Sequence, residues 1–367
     1  MKLDNYRDKL AGAFYARAAG CTLGAPVEGW TPEKMREYAA QLGVDFPLTD
    51  YWPDIPNPED LRYGCEPFSK YLKGNLTRVP CDDDIGYTML SLFIVEENGW
   101  DFTTKGVGES WLKHLPFACT AEEVALRNLK NGIPWDMAAE VDNPYSEWIG
   151  ADIRCDGYAW VNPGNPVTAT DMAQRDAWIS HRGNGVYGAR YFAAVIADAF
   201  ASSDVHKSLV RGLDFIPKDC ELADGLRWTI DLWDSVGDYQ NAARLVDERY
   251  PGMHWVHTVN NACLTVFALA LGGEDIGKVI ANAVAMAHDC DCTAATAGSV
   301  AGAAYGLQRL DPKWYECFND RVGSYFHGEK EHSVSDILAR YERLAMIGSA
   351  AQTIHYKKDA QSEEVSL

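Results

Sequence analysis

Cationic residues are scarce in this sequence of 367 residues. Lysine and arginine number 33 against 53 aspartates and glutamates, which gives a formal net charge of −20. Proteins that bind a nucleic-acid backbone need clustered cations, so this charge balance argues against that class. An acidic balance fits instead a protein that holds cations in a carboxylate site.

Long apolar runs and paired cysteines are also missing. The longest apolar stretches, Thr265–Leu271 and Val279–Ala287, are too short or too interrupted to span a bilayer. The first twelve residues contain no apolar segment of signal-peptide length. Ten cysteines are scattered without a CxxC pair, which in a chain of this length is typical of reduced thiols. We therefore expect a cytoplasmic protein without membrane contact.

Helical periodicity dominates the chain, and alternating strand patterns are scarce. The predicted helices are Tyr6–Ala19, Ile85–Glu97, Val167–Ile179, Tyr187–Ala201, Tyr239–Glu248, Thr258–Leu271, Ile276–Ala287, Thr293–Leu307 and Val334–Ile347. Residues 31–80, rich in proline and aromatic residues, and residues 131–166 are predicted to be long irregular segments, which tend to be functional. We expect one all-α domain over residues 1–355, followed by a polar tail at 356–367.

Two acidic clusters each stand directly before a predicted helix: Asp82, Asp83 and Asp84 before the first, and Asp289 and Asp291 before the second. One aspartate suffices to cap a helix, where the helix dipole favours negative charge. Adjacent carboxylates repel each other, and a divalent cation with several oxygen ligands removes that repulsion. Capping and cation binding both stay open for each cluster. If the clusters face each other across the helices, their carboxylates suffice for two Mg²⁺ or Mn²⁺ ions.

Three segments together resemble, in the right order, motifs of the ADP-ribosylglycohydrolase family. They are Gly12–Glu28 (GAFYARAAGCTLGAPVE), Asp82–Thr88 (DDDIGYT) and Asp289–Gly302 (DCDCTAATAGSVAG). These are similar to the family's opening helix with its G-D-A-x-G-x-P-x-E turn, its T-D-D-T segment and its D-T-D-T…A-G-x-x-A-G signature. Weaker matches place Ala151–Arg154 at the family's G-A-M-R and Ser180-His181 at its T-H. The resemblance implies an all-α fold with a dinuclear magnesium site in a central cleft, and hydrolysis of a glycosidic bond at the ribose anomeric carbon.

The resemblance also implies which residues bind the metals. Carried over by motif position, the ligands are Asp82, Asp83, Asp84, Asp289, Asp291 and Cys292. Asp82 takes the place of a threonine ligand, and Cys292 that of a threonine or serine. A thiol is a poor ligand for hard Mg²⁺. Two alternatives stay open: one ion is bound by fewer protein ligands, or the site prefers Mn²⁺. Cys21 is a second departure, because the family usually has aspartate there.

Glu28 matches the family glutamate that lies beside the metals and is proposed to assist the attacking water or the leaving group. The alternative for Glu28 is a surface carboxylate that follows Pro26.

Candidates for substrate contact lie between residues 154 and 187, namely Arg154, His181, Asn184, Gly185 and Tyr187. Arg154 could pair with a diphosphate, and the glycines that flank Asn184 could let the backbone approach a phosphate or ribose. His181 could donate to the substrate. A salt bridge for Arg154, a helix–helix turn around Asn184 and a capping or core position for His181 stay open as alternatives. Aromatic residues in the irregular segments could stack on a base, but no pattern selects one of them.

Together with the acidic clusters, the resemblance implies a metal-dependent glycosidase that removes ADP-ribose from a modified protein side chain such as arginine. A second interpretation is hydrolysis of a free nucleoside or another small N-glycoside. A third is a catalytically inactive member that acts as a binding or immunity protein. The intact carboxylates favour retained activity, whereas Cys21 and Cys292 favour divergence. The expected partner is an ADP-ribosylated protein or a small ribosylated molecule, and the oligomeric state stays open.

Overall fold

The computed structural model describes residues 2–348, so the tail expected at 356–367 lies outside the described residues. Helices make up most of this range, which confirms the all-α prediction. The helices are α1 (Leu3–Gly24), α2 (Pro32–Leu42), α3 (Asp83–Asn98), α4 (Thr104–His114), α5 (Thr120–Lys130), α6 (Asp156–Trp160), α7 (Pro166–Ala177), α8 (Gly183–Ala201), α9 (Val205–Gly212), α10 (Glu221–Asp231), α11 (Tyr239–Arg249), α12 (Thr258–Gly272), α13 (Ile276–Ala285), α14 (Cys290–Tyr305) and α15 (residues 334–348).

Two short antiparallel hairpins interrupt the helices. The first pairs β1 (Leu61–Arg62) with β2 (Glu66–Pro67), and the second pairs β3 (Arg321–Gly323) with β4 (Glu331–Ser333). The second hairpin is joined to the segment before α3 through a bridge between Val79 and Val322.

The segment over residues 31–80 is only partly irregular, because it contains α2 and the first hairpin. Thr31 caps α2 by accepting a hydrogen bond from the Lys34 amide at 3.2 Å, and Gly43 ends the helix with a φ of 70°. Only Met35 and Ala39 of α2 are buried, so its apolar stripe is too narrow to give a clear helical period. Residues 131–166 are likewise irregular only at first, since a 3-10 turn at Ile149–Arg154 leads into α6.

The centre of the fold is the contact between α1 and α14, which are buried along most of their length. A Cβ on Gly20 would lie 2.3 Å from the carbonyl oxygen of Ala294, and one on Gly302 would lie 2.3 Å from the carbonyl carbon of Gly12. Side chains cannot approach that closely, so the two helices touch backbone to backbone. The run of small residues in α14 therefore serves tight helix packing.

Replacing Gly298 by alanine is expected to lower the free energy of unfolding by about 1–3 kcal/mol, because the added Cβ would lie 2.5 Å from the carbonyl oxygen of Ala16. Helix propensity alone predicts the opposite sign, since alanine is the better helix former. Gly106→Ala on α4 is the control, because its Cβ would meet only side-chain atoms of Asn98 and Thr103, at 3.0 Å or more. Urea unfolding compares the two. A Gly298→Ala protein as stable as wild type would contradict backbone contact at this position.

All ten cysteines lie within the described residues and are free thiols. No helix between residues 2 and 348 combines the length and apolar character needed to cross a bilayer.

Candidate active site

The two acidic clusters meet where α3 and α14 begin, beside the end of α1. Asp82 is the N-cap residue of α3, and Asp289 is the N-cap residue of α14. A Cβ on Gly24 would lie 2.5 Å from the Cα of Asp291, so a glycine is needed for α1 to reach the start of α14. Backbone contact between α1 and α14 thus helps to bring together carboxylates that are some two hundred residues apart in the sequence.

Within residues 2–348, potential ligand atoms form two overlapping groups, and in each group all atoms lie within 4.8 Å of one another. The groups are Cys21, Asp82, Asp84 and Asp291, and Asp289, Asp291 and Cys292. Asp291 therefore belongs to both groups. The side chains of Asp82 and Asp291 are each 1% exposed and that of Asp84 is 0% exposed, so an ion bound here would be shielded from bulk water.

Helix capping explains only part of this cluster. Asp82 accepts a hydrogen bond from the Asp84 amide at 3.1 Å, as an N-cap residue does. Asp289 makes no such bond, and buried oxygens of Asp289 and Asp291 (Oδ1 of each) have no hydrogen-bond partner among the described residues. Unpaired buried carboxylate oxygens are costly, and a divalent cation would satisfy both. The residues present therefore fit a hard cation.

The electrostatics of the cluster also favour a cation. Burial, followed by repulsion from neighbouring carboxylates, raises the pKa of Asp83 and of Asp289 well above the ordinary aspartate value. Burial also raises the pKa of Asp84, although the guanidinium of Arg17 opposes this shift. A divalent ion would stabilise the ionised carboxylates, so protons and metal ions compete for them.

A guanidinium group stands among these carboxylates. Arg62, on β1, donates from Nε to Asp82 at 2.5 Å and from Nη1 to Glu28 at 2.7 Å, and its Nη2 donates to Asp291. Its side chain is only 4% exposed. Sequence reasoning missed this residue. The sequence feature that could have indicated a functional role for Arg62 is its position in the proline- and aromatic-rich segment before α3.

A second buried arginine, Arg17, pairs with one carboxylate of the cluster. Arg17 lies 3.1 Å from Asp84 and 3.1 Å from Asp156, and the side chains of all three residues are 0% exposed. Its Nε also donates to the Thr88 hydroxyl at 2.8 Å. Sequence reasoning missed Arg17 too, although a lone cation among the small residues of α1 indicates a buried ion pair.

The surroundings of three further candidate residues, Cys292, Asp83 and Glu28, differ from one another. Burial raises the pKa of the Cys292 thiol well above its ordinary value, so the thiol is neutral and donates to Asp84 at 3.3 Å. Asp83 accepts a hydrogen bond from the hydroxyl of Tyr63 at 3.0 Å. The side chain of Glu28 is 23% exposed, so this carboxylate lies at the edge of the buried cluster and within reach of solvent.

Arg154 lies in the interior, where its Nε donates to Asp176 and its Nη1 to Glu122, each at 2.5 Å. The backbone oxygens of Gly150 and Asp176 and the Ser180 hydroxyl accept its remaining bonds. This arrangement is the salt bridge that the sequence analysis gave as the alternative for Arg154. Because its N–H groups already donate to these internal acceptors, Arg154 has none to donate to a diphosphate.

His181 is fully buried, with Nδ1 2.8 Å from the Ser180 hydroxyl. Burial, followed by the nearby arginines Arg154 and Arg182, lowers its pKa well below the ordinary value, so the ring is neutral. This position corresponds to the core alternative left open above.

The start of α8 holds the other candidates. The amide of Asn184 donates to the Glu147 carboxylate at 2.8 Å, so a phosphate at this helix end would have to replace Glu147. A Cβ on Gly185 would lie 2.5 Å from the carbonyl oxygen of Ser146, which shows that the glycine allows close backbone packing there. Tyr187 is half-buried one turn further on.

An aromatic rim consists of Trp148, His254 and Trp255. The Trp148 and His254 rings are stacked with centroids 4.2 Å apart and an interplanar angle of 15°, and His254 is stacked in turn against Trp255. Trp255 is 38% exposed and packs over Gly29, the residue after Glu28. The rim therefore begins beside the residue that follows Glu28 in the chain.

Comparison with known proteins places these observations in context. A family model described as ADP-ribosylglycohydrolase matches residues 2–346 of the chain. A solved structure titled "ADP-ribosylglycohydrolase-related protein complex" is similar with a TM-score of 0.62 and 18% sequence identity, over 94% of this chain and 99% of that one. At this identity the likeness shows the fold alone. A comparison with curated proteins found no match.

Proposed function

The chain belongs to the ADP-ribosylglycohydrolase family, and from this membership we propose that it is a metal-dependent hydrolase of an ADP-ribosyl glycosidic bond. The bond that we propose joins ADP-ribose to a protein side chain such as arginine. The proposed cofactor is a pair of Mg²⁺ ions, with Mn²⁺ as the alternative. Family membership supports glycohydrolase chemistry broadly, and the finer assignment depends on the carboxylate cluster.

The observation that carries this proposal is the convergence of carboxylates from three distant segments. Glu28 follows α1, Asp82 precedes α3, and Asp291 lies in the first turn of α14. One guanidinium group contacts all three, so they share one small volume. A buried cluster of this kind is costly unless it binds cations, which favours a functional site over a purely structural one.

The carboxylates and Glu28 have separate tasks in this proposal. Divalent cations, when bound, hold ribose hydroxyls and lower the pKa of a water molecule. The side chains that bind them are Asp82, Asp83, Asp84, Asp289 and Asp291. Glu28, at the solvent-facing edge, accepts the proton of the attacking water or donates one to the leaving group. Cleavage at the anomeric carbon passes through an oxocarbenium-like state, which needs such an acid or base near the bond.

The aromatic rim is the surface that we propose for the base of the substrate. Trp148, His254 and Trp255 form a stack of partly exposed rings, and Trp255 lies beside Gly29, the residue after Glu28. Aromatic faces of this kind bind flat rings by stacking. Arg154 and His181 are not assigned to substrate contact here, whereas Asn184, Gly185 and Tyr187 at the start of α8 remain candidates.

The assay for this function measures ADP-ribose released from ADP-ribosyl-arginine and compares it with hydrolysis of a panel of nucleosides. We expect release with Mg²⁺ or Mn²⁺ and loss of release after chelation with EDTA. Preferential hydrolysis of nucleosides would contradict the substrate assignment, and full activity in EDTA would contradict the metal dependence.

Replacing Glu28 by glutamine is expected to lower kcat by about 10²–10⁴-fold, because the amide cannot exchange a proton with water or the leaving group. Affinity for Mn²⁺ is expected to stay within a few-fold of wild type, since the five aspartates remain. The exposed Glu33 on α2 provides the control Glu33→Gln, which should behave as wild type in both measurements. Unchanged kcat in Glu28→Gln would exclude Glu28 as the acid or base.

One observation favours a second candidate function, a binding protein without hydrolase activity. Arg62 supplies a positive charge to Asp82 and Asp291, so part of the cluster is neutralised without a metal ion. In this alternative the fold is kept and the activity is lost. Mn²⁺ titration separates the two, because the binding protein would take up no metal.

A further inference from the structure

The contacts of Arg62 point to a role beyond simple charge balance. Its guanidinium reaches one carboxylate from each of the three converging segments, namely Glu28, Asp82 and Asp291. Its remaining acceptors are the Tyr63 hydroxyl at 3.0 Å and the carbonyl oxygen of Ala25 at 3.3 Å. Each nitrogen of the guanidinium thus donates to at least one oxygen, in the way that a bound cation is surrounded by acceptors.

The carboxylates that Arg62 binds are also those that a divalent ion needs. Asp82 and Asp291 belong to the group of potential ligand atoms that lie within 4.8 Å of one another, and Arg62 donates to both. A carboxylate whose charge is already paired with a guanidinium attracts a metal ion less strongly. Two cationic groups in so small a volume also repel each other strongly at low dielectric.

Arg62 is part of an exposed hairpin rather than of the helical core. The hairpin segment, residues 57–69, contains β1 and β2 and has exposed residues at Leu61, Gly64 and Cys65. Tyr63 at its tip has a φ of 51°, a left-handed conformation that is unfavourable for a bulky side chain. Arg62 binds the hairpin to the cluster together with Tyr63, which donates to Asp83, and Glu66 of β2 accepts a hydrogen bond from the Cys81 amide at 2.7 Å.

We propose that the Arg62 guanidinium and a divalent cation are alternative occupants of the same carboxylates, so that metal loading requires the hairpin segment to withdraw from the cluster. In the conformation described here, Arg62 closes the cluster and compensates its charge. Binding of the metal and docking of the hairpin then oppose each other, and each weakens the other by the same factor. The inference rests on the proposed function, because it concerns the metal site of that function.

Titration calorimetry with Mn²⁺ on the full chain tests this competition. Arg62→Met removes the charge and keeps a long apolar side chain, and we expect its dissociation constant for Mn²⁺ to be about tenfold or more lower than that of wild type. Arg340→Met is the matched control, because Arg340 pairs with Glu96 at 3.0 Å and makes no hydrogen bond to the hairpin segment or to the cluster. The control should bind Mn²⁺ as wild type does.

The outcomes separate this inference from the proposed function. Tighter binding by Arg62→Met, including binding by that variant alone, supports the competition. Equal or weaker binding by Arg62→Met overturns the competition and leaves the metal site of the proposed function intact. Absence of binding in both proteins overturns the metal dependence itself, and the competition with it.

Hydrogen exchange of the wild-type chain provides a measurement that does not depend on the variant folding. Saturating Mn²⁺ is expected to speed exchange in residues 57–69 several-fold while slowing it at the starts of α3 and α14. Slower or unchanged exchange in residues 57–69 on Mn²⁺ binding would overturn the proposal, because Arg62 would then stay in place beside the ion.

Discussion

Replacing Asp291 by asparagine is expected to abolish divalent-cation binding and hydrolysis together. Asp291 is the one residue that belongs to both groups of potential ligand atoms, so its loss affects every ion that the cluster could hold. Asparagine keeps the shape of the side chain and removes the negative charge. We expect Mn²⁺ affinity to fall more than about 100-fold, beyond the effect of losing a supporting residue around a metal site.

Calorimetry with Mn²⁺ and the ADP-ribose release assay measure this prediction, and circular dichroism checks that the helical content is unchanged. Asp101→Asn is the control, because Asp101 is exposed in the turn before α4. Wild-type metal affinity in Asp291→Asn would contradict the assignment of the cluster as the metal site. Asp289→Ala tests the same assignment from the neighbouring position, with loss of metal binding as the expected result.

Replacing Arg17 by methionine is expected to lower the free energy of unfolding by about 3–5 kcal/mol, the largest effect on stability that we predict. The guanidinium of Arg17 lies between the fully buried carboxylates of Asp84 and Asp156. Its removal leaves both carboxylates without their cation in a region from which water is excluded. Methionine fills a similar volume, so the loss reports mainly on charge.

Urea unfolding of the metal-free protein measures the effect of Arg17→Met. The control is Arg211→Met, because the Arg211–Asp198 pair is partly exposed and such pairs contribute only about 0–1 kcal/mol. If Arg17→Met unfolds within about 1 kcal/mol of wild type, the buried ion pairs behind the cluster do not have the structural importance inferred here.

The parts of the fold that could be predicted are those that local sequence patterns determine. Helices α3 and α14 begin at the aspartate clusters as expected, and Gly99 ends α3 by bonding back to Val95. The ordered motifs around Glu28 and the two clusters led to the family. Local patterns suffice for these features because capping, helical period and motif order depend on residues close together in the chain.

The side-chain contacts of the site that were missed depend on distant partners. Arg62 is 20 residues from Asp82 and 229 from Asp291, and no periodicity connects them. Arg154 appeared to be available for a diphosphate only because its partners Glu122 and Asp176 lie on other helices. Tertiary packing, such as the backbone contact of α1 with α14, brings the side chains of a site together. In the sequence, that contact is visible only as a run of small residues.

Anomalous diffraction from a crystal of the wild-type chain grown with Mn²⁺ tests the central claim most directly. The account predicts manganese peaks bounded by Asp82, Asp83 and Asp84 on one side and by Asp289 and Asp291 on the other, with Arg62 displaced. Manganese found only at surface carboxylates, with Asp82 and Asp291 still bound to Arg62, would contradict it.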